Sequence, residues 1–421
     1  MPEPIPVPRP IEFPPPPPRP APQPSATRVV VANASGAAEI VVLTKRTYAW
    51  EPGQRARLAE VQLPLDEAGI PHEPLAEGRP PSWRSLPDVV GYKAGTDVVV
   101  QGWARSSRPV ASMAVALDLA GRRHEVLVFG RRCCDTLLGR LVFTSPEPFT
   151  EVPLRYELAY GGRDAGYEAM LMAEVERITA PETLRRARPS AEALFDTLHP
   201  LMYPRNRFGQ GYALDHRPEA LQGRELPQLE RRDDLLTPER FLVPDPLKWE
   251  GLPVPAGFDF LDPMSFPRMG MFACPPPGYQ PGGRTREAEL GLTPKDFCRG
   301  NITTATPEQL PTLLHPYAGH CASLGLTFPY LAGDETLALH GMDPARSTFT
   351  LTLPGERPVA ELPGLEPKPL RLDAAPFLLL VEVDAQRLCV VWAARHRLRV
   401  PLPPSRIPEL AAAVRIFWKG N

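Results

Sequence analysis

Proline is the residue that most constrains this chain, because 57 of its 421 residues are prolines and they occur along almost the whole length. Proline donates no backbone hydrogen bond and is excluded from helix interiors and central strands. A helical bundle is therefore nearly ruled out. The distribution favours many short elements joined by long, stiffened loops.

The first 27 residues form a segment of their own. Thirteen prolines lie between Pro2 and Pro24, with an unbroken run at 14–18, and the segment has almost nothing apolar to bury. We expect an extended polyproline II arm. Two interpretations stay open: a ligand for an aromatic groove on a partner, or a semi-rigid spacer.

From Arg28 onward, β-branched and alternating residues predict strands. The predicted strands are 29–31, 40–43, 98–103, 110–119, 126–129, 154–160, 336–339, 348–353, 377–383 and 388–394. Glycine and proline separate them, and helical stretches between the early strands are missing, which favours antiparallel pairing. The predicted fold is mainly β with minor α: an antiparallel β-sandwich or open-barrel core with long irregular loops and a short helical insertion.

This pattern divides the chain into five segments. The proline-rich arm (1–27) precedes an N-terminal antiparallel β domain (28–165). A helical insertion (166–200) follows, because Met170, Leu171, Val175 and Ile178 are spaced for one apolar helix face. A loop-rich region (201–320) is expected to pack on the β core, and residues 321–421 supply the C-terminal strands and a short helix over 407–418.

Composition excludes several classes of function. The formal net charge is −2, so no basic excess points to nucleic acid or to an anionic membrane surface. No apolar run reaches the roughly 20 residues that span a bilayer, and no secretory leader is recognisable. Six cysteines in so long a chain do not form a disulfide framework. We expect a cytoplasmic protein with reduced thiols and no membrane insertion.

Motifs for catalysis or cofactor binding are weak. A phosphate-binding glycine loop is missing, and we expect no cofactor. His315, His320 and Cys321 could ligate zinc, but no second pair of ligands lies nearby, and ordinary loop roles are favoured. The pair Cys133 and Cys134 follows two arginines, which can stabilise thiolates, although two small buried apolar residues at a strand end are the preferred interpretation.

Several collinear motifs carry a resemblance to a known family. They are 95–104 (GTDVVVQGWA), 128–132 (VFGRR), 152–164 (VPLRYELAYGGRD), 205–212 (RNRFGQGY), 226–230 (LPQLE), 255–258 (PAGF), 333–339 (GDETLAL) and 389–392 (CVVW). In this order they resemble the bacterial family of adaptor and accessory proteins associated with type VI secretion effectors. The likeness covers about residues 28–395.

The resemblance implies a non-enzymatic adaptor or chaperone that binds a secretion effector, a spike-tip protein or both, and assists loading. The candidate partner-binding or motif residues are Asp97, Arg131, Arg132, Tyr160, Gly161, Gly162, Asp164, Asn206, Arg207, Gly209, Glu230, Arg268 and Glu335. Many of them also make sense as architecture: Gly209 and Gly211 could take positive φ, and Asp97 could pair with Arg132.

Two alternatives remain. One is a hydrolase with its site in the loop region 203–311, where Glu230 would be tested first. The other is an immunity protein that binds a toxin tightly without affecting its delivery.

Overall fold

The structure of the protein is a computed structural model. It describes residues 27–34, 37–77, 79–89, 95–164, 203, 205–214, 218–241, 252–261, 327–328, 330–365, 368–398, 402–403 and 405–419. Nearly all of the proline-rich arm, the helical insertion and much of the loop-rich region lie outside these residues. So do Arg268 and the three residues considered for zinc.

Strands dominate the described part of the chain, which confirms the prediction of a mainly β fold with minor α. The strands are β1 (Thr27–Ala34), β2 (Ala37–Ala49), β3 (Arg57–Leu58), β4 (Ile70–Pro71), β5 (Trp83–Ser85), β6 (Thr96–Gln101), β7 (Trp103–Val110), β8 (Ser112–Leu119), β9 (Arg122–Phe129), β10 (Cys134–Leu137), β11 (Arg140–Phe143), β12 (Phe149–Pro153), β13 (Tyr160–Gly161), β14 (Gln210–Gly211), β15 (Leu229–Glu230), β16 (Thr327–Phe328), β17 (Thr336–His340), β18 (Thr348–Thr352), β19 (Arg357–Leu362), β20 (Leu370–Asp373), β21 (Ala375–Glu382), β22 (Arg387–Leu398) and β23 (Arg415–Lys419). The α-helices are α1 (Pro238–Phe241) and α2 (Arg406–Ala413), and short 3-10 helices cover Tyr156–Leu158 and Pro218–Leu221.

The larger sheet joins the two ends of the described chain. Its strand order is β1–β2–β22–β21–β6–β16, and β3 also pairs with β2. The pair β2–β22 extends from Ala38 opposite Leu398 to Ala49 opposite Arg387. The pairing of β21 with β6 is parallel, so this sheet is mixed instead of purely antiparallel. The predicted segments 28–165 and 321–421 therefore contribute strands to the same sheet.

The second sheet has the order β15–β9–β8–β17–β18 and is antiparallel. Its strands alternate, with Leu337 and Leu339 of β17 buried and their neighbours facing outward. The inward side chains meet Val98, Val100 and other residues of the larger sheet in one apolar core. Two sheets that share a core define a β-sandwich. Each fully buried valine or leucine contributes roughly 1.5–3 kcal/mol to stability.

The larger sheet is covered on its other face as well. Val99 of β6 and Val391 of β22 pack there against Leu65 and Leu86, from the segment between β3 and β6. Because both faces are buried, these central strands read as continuous apolar runs instead of alternating ones. A third layer of β20, β19 and β23 with α2 packs against the β2 and β22 ends of the sheet.

Two sequence predictions were wrong in detail. Residues 154–160 do not form one strand, since Tyr156–Leu158 is a 3-10 helix whose three residues are all buried. The C-terminal helix ends at Ala413, and residues predicted as its second half form β23, which pairs with β19. There Trp418 packs edge-on to Trp392, and the Arg46 guanidinium lies 3.4 Å from the centre of a Trp418 ring. These contacts outweigh local helix propensity.

In the part of the chain that the structure describes, no helix has the length and apolar character needed to cross a bilayer.

Candidate functional site

Three of the sequence motifs come together beside β9. Tyr160 and Gly161 of β13 pair in parallel with β14, and β15 pairs with β9. Ala159 forms a bridge with Leu229 of β15, which links the motif at 152–164 to the motif at 226–230. We call segments 156–164, 205–214 and 224–230, together with Arg131 and Arg132, the motif junction. Most of the predicted site residues lie in it.

Asn206 is the clamp between the first two segments. Its side chain is fully buried, and its amide donates hydrogen bonds to the carbonyl oxygens of Tyr156 at 2.9 Å and Tyr160 at 3.2 Å. Its own backbone carbonyl accepts from the Gly162 N–H at 2.8 Å. Two bonds from the side-chain amide and one to the backbone carbonyl of Asn206 fix the relative position of both segments, because each lost bond would leave a polar group unsatisfied.

Glycines allow these segments to approach closely. Gly211 has a φ of 92°, as predicted. Gly209 is different from the prediction: its φ is not positive, and it is needed because a Cβ there would lie 2.6 Å from the Ala159 carbonyl oxygen. A Cβ on Gly161 would lie 2.1 Å from the Asn206 carbonyl oxygen. The backbones touch at these points, so no side chain fits between them.

A buried ion pair ties the junction to β9. Arg132 pairs with Glu230, and their side chains are only 9% and 1% exposed. Glu230 also accepts the Leu236 N–H at 2.8 Å, and Arg132 donates to the Pro227 carbonyl at 2.9 Å. Burial lowers the pKa of Arg132 to about 10. The predicted pairing of Arg132 with Asp97 was wrong, because Glu230 takes that place.

Asp164 holds the far end of the second segment. Its carboxylate is buried and accepts the Leu214 N–H at 2.6 Å. Arg224 lies 3.4 Å from the same carboxylate and donates to the Tyr212 carbonyl at 2.7 Å. A buried carboxylate with a backbone donor and a cation is a stable structural contact.

Three tyrosines fill the apolar interior of the junction. The rings of Tyr160 and Tyr203 are 5.1 Å apart and those of Tyr203 and Tyr212 are 5.4 Å apart, and all three side chains are buried. The Tyr203 hydroxyl donates to the Pro253 carbonyl at 2.8 Å, and burial raises its pKa to about 12. The Tyr160 hydroxyl is buried and has no hydrogen-bond partner among the residues that the structure describes.

Part of the junction is exposed to solvent. Arg131 is 66% exposed and pairs with Glu225 at 2.8 Å, and Arg79 pairs with the same carboxylate. Arg207 is half-buried, with its guanidinium 4.8 Å from the Phe208 ring centre. The site residues that the motifs predicted are thus mostly internal contacts, and Arg131 is the one that faces solvent most openly.

Two predicted site residues lie away from the junction. Asp97 is buried at the start of β6, in the larger sheet. Glu335 precedes β17 and accepts the N–H groups of Ala332 at 2.6 Å and Gly333 at 2.8 Å, so it closes the turn before that strand. The structure does not bring these two residues to the other motif residues.

The described residues contain one arrangement of nucleophile, base and acid. The Thr348 hydroxyl lies 2.8 Å from His340 Nδ1, and His340 Nε2 lies 2.8 Å from Asp118. All three side chains stand on the outward face of the second sheet, where His340 and Asp118 are 24% and 39% exposed. An open sheet face does not exclude water or enclose a substrate, so we interpret the contacts as cross-strand pairing.

Within the described residues, no group of three or more His, Cys, Asp or Glu side chains is placed to hold a metal ion. Burial raises the pKa of Cys134 to about 12, and the pKa of Cys133 is raised as well, by burial and by Glu225. Both thiols therefore stay protonated near neutral pH, and Cys134 is a buried core residue as predicted, whereas Cys133 is only half-buried.

The sequence patterns did not predict the β10–β11 hairpin, which is hydrogen-bonded to the junction through its first strand. The Cys134 N–H donates to the Arg224 carbonyl at 2.8 Å, and the Gly223 N–H donates to the Cys134 carbonyl at 2.8 Å. Below it, the Leu226 N–H donates to the Arg132 carbonyl at 3.0 Å. The only sequence signal is the glycine at position 139 between two short apolar runs.

The fold and the junction define the class of protein: a β-sandwich that carries ordered irregular segments attached to one of its sheets. Residues 35–393 match the family described as uncharacterized protein conserved in bacteria (DUF2169), and the chain belongs to that family. Searches of the curated proteins and of the solved structures each found no match.

Proposed function

We propose that the protein is a non-enzymatic adaptor or chaperone that binds a type VI secretion effector, a spike-tip protein or both, and assists loading in the cytoplasm. The secretion context comes from the resemblance of the ordered motifs. The observation that carries the binding role is the state of the motif side chains. The carboxylates of Asp164 and Glu230 are buried and already engaged by arginines and backbone N–H groups.

A catalytic carboxylate must reach a substrate, and a carboxylate that is enclosed by its own fold does not. The same contacts have a clear use in a binding protein. They hold irregular segments in one shape on a β scaffold, so little conformational entropy is lost when a partner binds. We therefore expect the partner surface to include accessible parts of the region 203–311.

Recovery of a partner from the native host tests the proposal. The tagged full chain should recover an effector or a spike-tip protein, and deletion of its gene should abolish secretion of that effector. Recovery of neither, with secretion unchanged, would overturn the proposal. Recovery of a toxin whose delivery does not depend on this chain would instead identify an immunity protein.

The proline-rich arm has its own expected role in this function. A variant lacking residues 1–27 should recruit less partner and still unfold cooperatively, because the arm has almost nothing to bury. Loss of cooperative unfolding in that variant would show that the arm belongs to the folded core.

A hydrolase site at Thr348 and His340, which lies outside the region 203–311 of the hydrolase alternative, has a matched pair of test variants on β18. Thr348 and Thr350 both face outward, but the Thr348 hydroxyl lies 2.8 Å from His340 Nδ1, whereas Thr350 is paired with Ala338 on the neighbouring strand. Turnover of any substrate in a hydrolase panel that is lost in Thr348→Ala and kept in Thr350→Ala would replace the adaptor proposal with an enzyme. We expect neither variant to change partner recovery.

A further inference from the structure

The tip of the β10–β11 hairpin has an unusual residue in its turn. Leu137 pairs with Arg140, so the connection is the two residues Leu138 and Gly139. Their φ angles are 51° and 75°, which defines a type I′ turn. Such turns favour Asn-Gly, because a side chain with a branched apolar body is strained at positive φ.

Leu138 is also almost completely in solvent. It is 95% exposed, and Leu137 beside it is 62% exposed. Neither burial nor backbone preference within this chain therefore accounts for a leucine in the turn. Strained positions that the fold does not need are characteristic of binding and active sites.

The chain contains an internal comparison. The β8–β9 hairpin has the same four-residue frame, Leu119-Ala120-Gly121-Arg122, with φ angles of 49° and 72° at its two central residues. Its turn position carries alanine, and its flanking Leu119 is buried at 2% exposure. The fold thus forms this turn without a large side chain, and the exposed leucines are particular to the second hairpin.

The base of the hairpin is firmly held, so the tip is presented on a rigid support. Cys134 and Leu141 are buried in the core cluster of the junction, and the Phe143 ring packs edge-on to Phe241 at 5.9 Å. A rigid apolar projection loses little entropy when it enters a pocket, which is the property of a hot-spot residue.

Charge indicates which partner fits. Arg140, at the tip, is exposed and has no ion pair among the described residues. A guanidinium beside two exposed leucines matches a protein pocket that is apolar inside and has carboxylates at its border. A membrane is a poorer match, because two leucines bury little area in lipid and the chain has no basic excess.

We propose that the β10–β11 tip inserts Leu137 and Leu138 into an apolar, acid-rimmed pocket of the protein partner. This rests on the proposed function and adds the contact surface to it. The tip is then the centre of the interface, and Arg140 sets its orientation by pairing with a carboxylate at the rim.

The test compares Leu138→Asn with the matched control Ala120→Asn. Both changes place asparagine at the same position of a type I′ turn, so both should keep or raise the midpoint of thermal unfolding. Binding is measured with the partner that the full chain recovers, after that partner is purified. Leu138→Asn should raise the dissociation constant by about tenfold or more, and Ala120→Asn should leave it unchanged. Arg140→Glu should also raise the dissociation constant, because a carboxylate at this position would repel the carboxylate at the rim of the pocket.

The outcomes separate the two proposals. Equal binding by the wild type and Leu138→Asn would overturn the role of the tip and leave the adaptor function standing. Failure to recover any partner would overturn both. A Leu138→Asn variant that unfolds earlier than the wild type would show a structural role. If the wild type forms dimers in solution that Leu138→Asn does not form, the tip is a self-association surface. If the wild type binds vesicles containing anionic lipid and Leu138→Asn does not, the tip is a membrane contact. Either result would overturn the proposal.

Discussion

Glu230→Gln offers a direct test of the motif junction as architecture. The substitution keeps the size and shape of the side chain and removes its charge, so Arg132 loses its ionic partner while 9% exposed. Breaking a buried pair from one side costs about 3–5 kcal/mol, because the remaining charge is uncompensated. The glutamine oxygen can still accept the Leu236 N–H, and Arg132 keeps its bond to the Pro227 carbonyl. We therefore expect Glu230→Gln to lower the free energy of unfolding by about 3 kcal/mol, at the lower end of that range.

Urea unfolding followed by tryptophan fluorescence measures this loss as an earlier midpoint. The pair Arg231–Asp233 provides the control: its carboxylate is 70% exposed, so water can replace the lost contact and Asp233→Asn should cost less than about 1 kcal/mol. The double variant Arg132→Met with Glu230→Gln should regain much of the stability, because no unpaired charge remains. A loss below about 1 kcal/mol in Glu230→Gln alone would refute the reasoning that this pair holds the junction.

Three further changes test the interior. Gly209→Ala should cost about 2 kcal/mol or more in urea unfolding, because its Cβ meets the Ala159 carbonyl; an unchanged midpoint would contradict the close approach. Tyr160→Phe should be neutral or stabilising by up to about 1 kcal/mol, since its buried hydroxyl has no hydrogen-bond partner within the described part of the chain; a clear loss of stability would show that the hydroxyl does make a hydrogen bond. Burial lowers the pKa of His124 from 6.5 to about 4, so the unfolded chain takes up the proton first and stability falls by roughly 3 kcal/mol between pH 6.5 and pH 4. His124→Gln should remove that part of the pH dependence, and an identical profile in both proteins would contradict it.

Motif recognition and contact geometry supplied different information about the candidate site. The ordered motifs identified Asn206, Gly209 and Glu230 as special, and the structure places all three in one junction. The partner of Arg132 was predicted wrongly, because Glu230 lies 98 positions away and only the folded chain brings them together. The hairpin that carries Leu138 was missed, since four-residue strands give too little periodicity to be recognised.

The sequence by itself determined the class of fold and its central strands. Continuous apolar runs with β-branched residues, such as 98–100 and 388–394, predict strands, and the structure has strands there. Tertiary structure decided what local propensity leaves open: the pairing of β2 with β22, the strand at residues 415–418 where a helix was predicted, and the burial of Tyr156–Leu158 in a 3-10 turn. The physical reason is that strand partners and buried polar contacts join residues tens to hundreds of positions apart. Their free energy appears only when the whole chain is assembled.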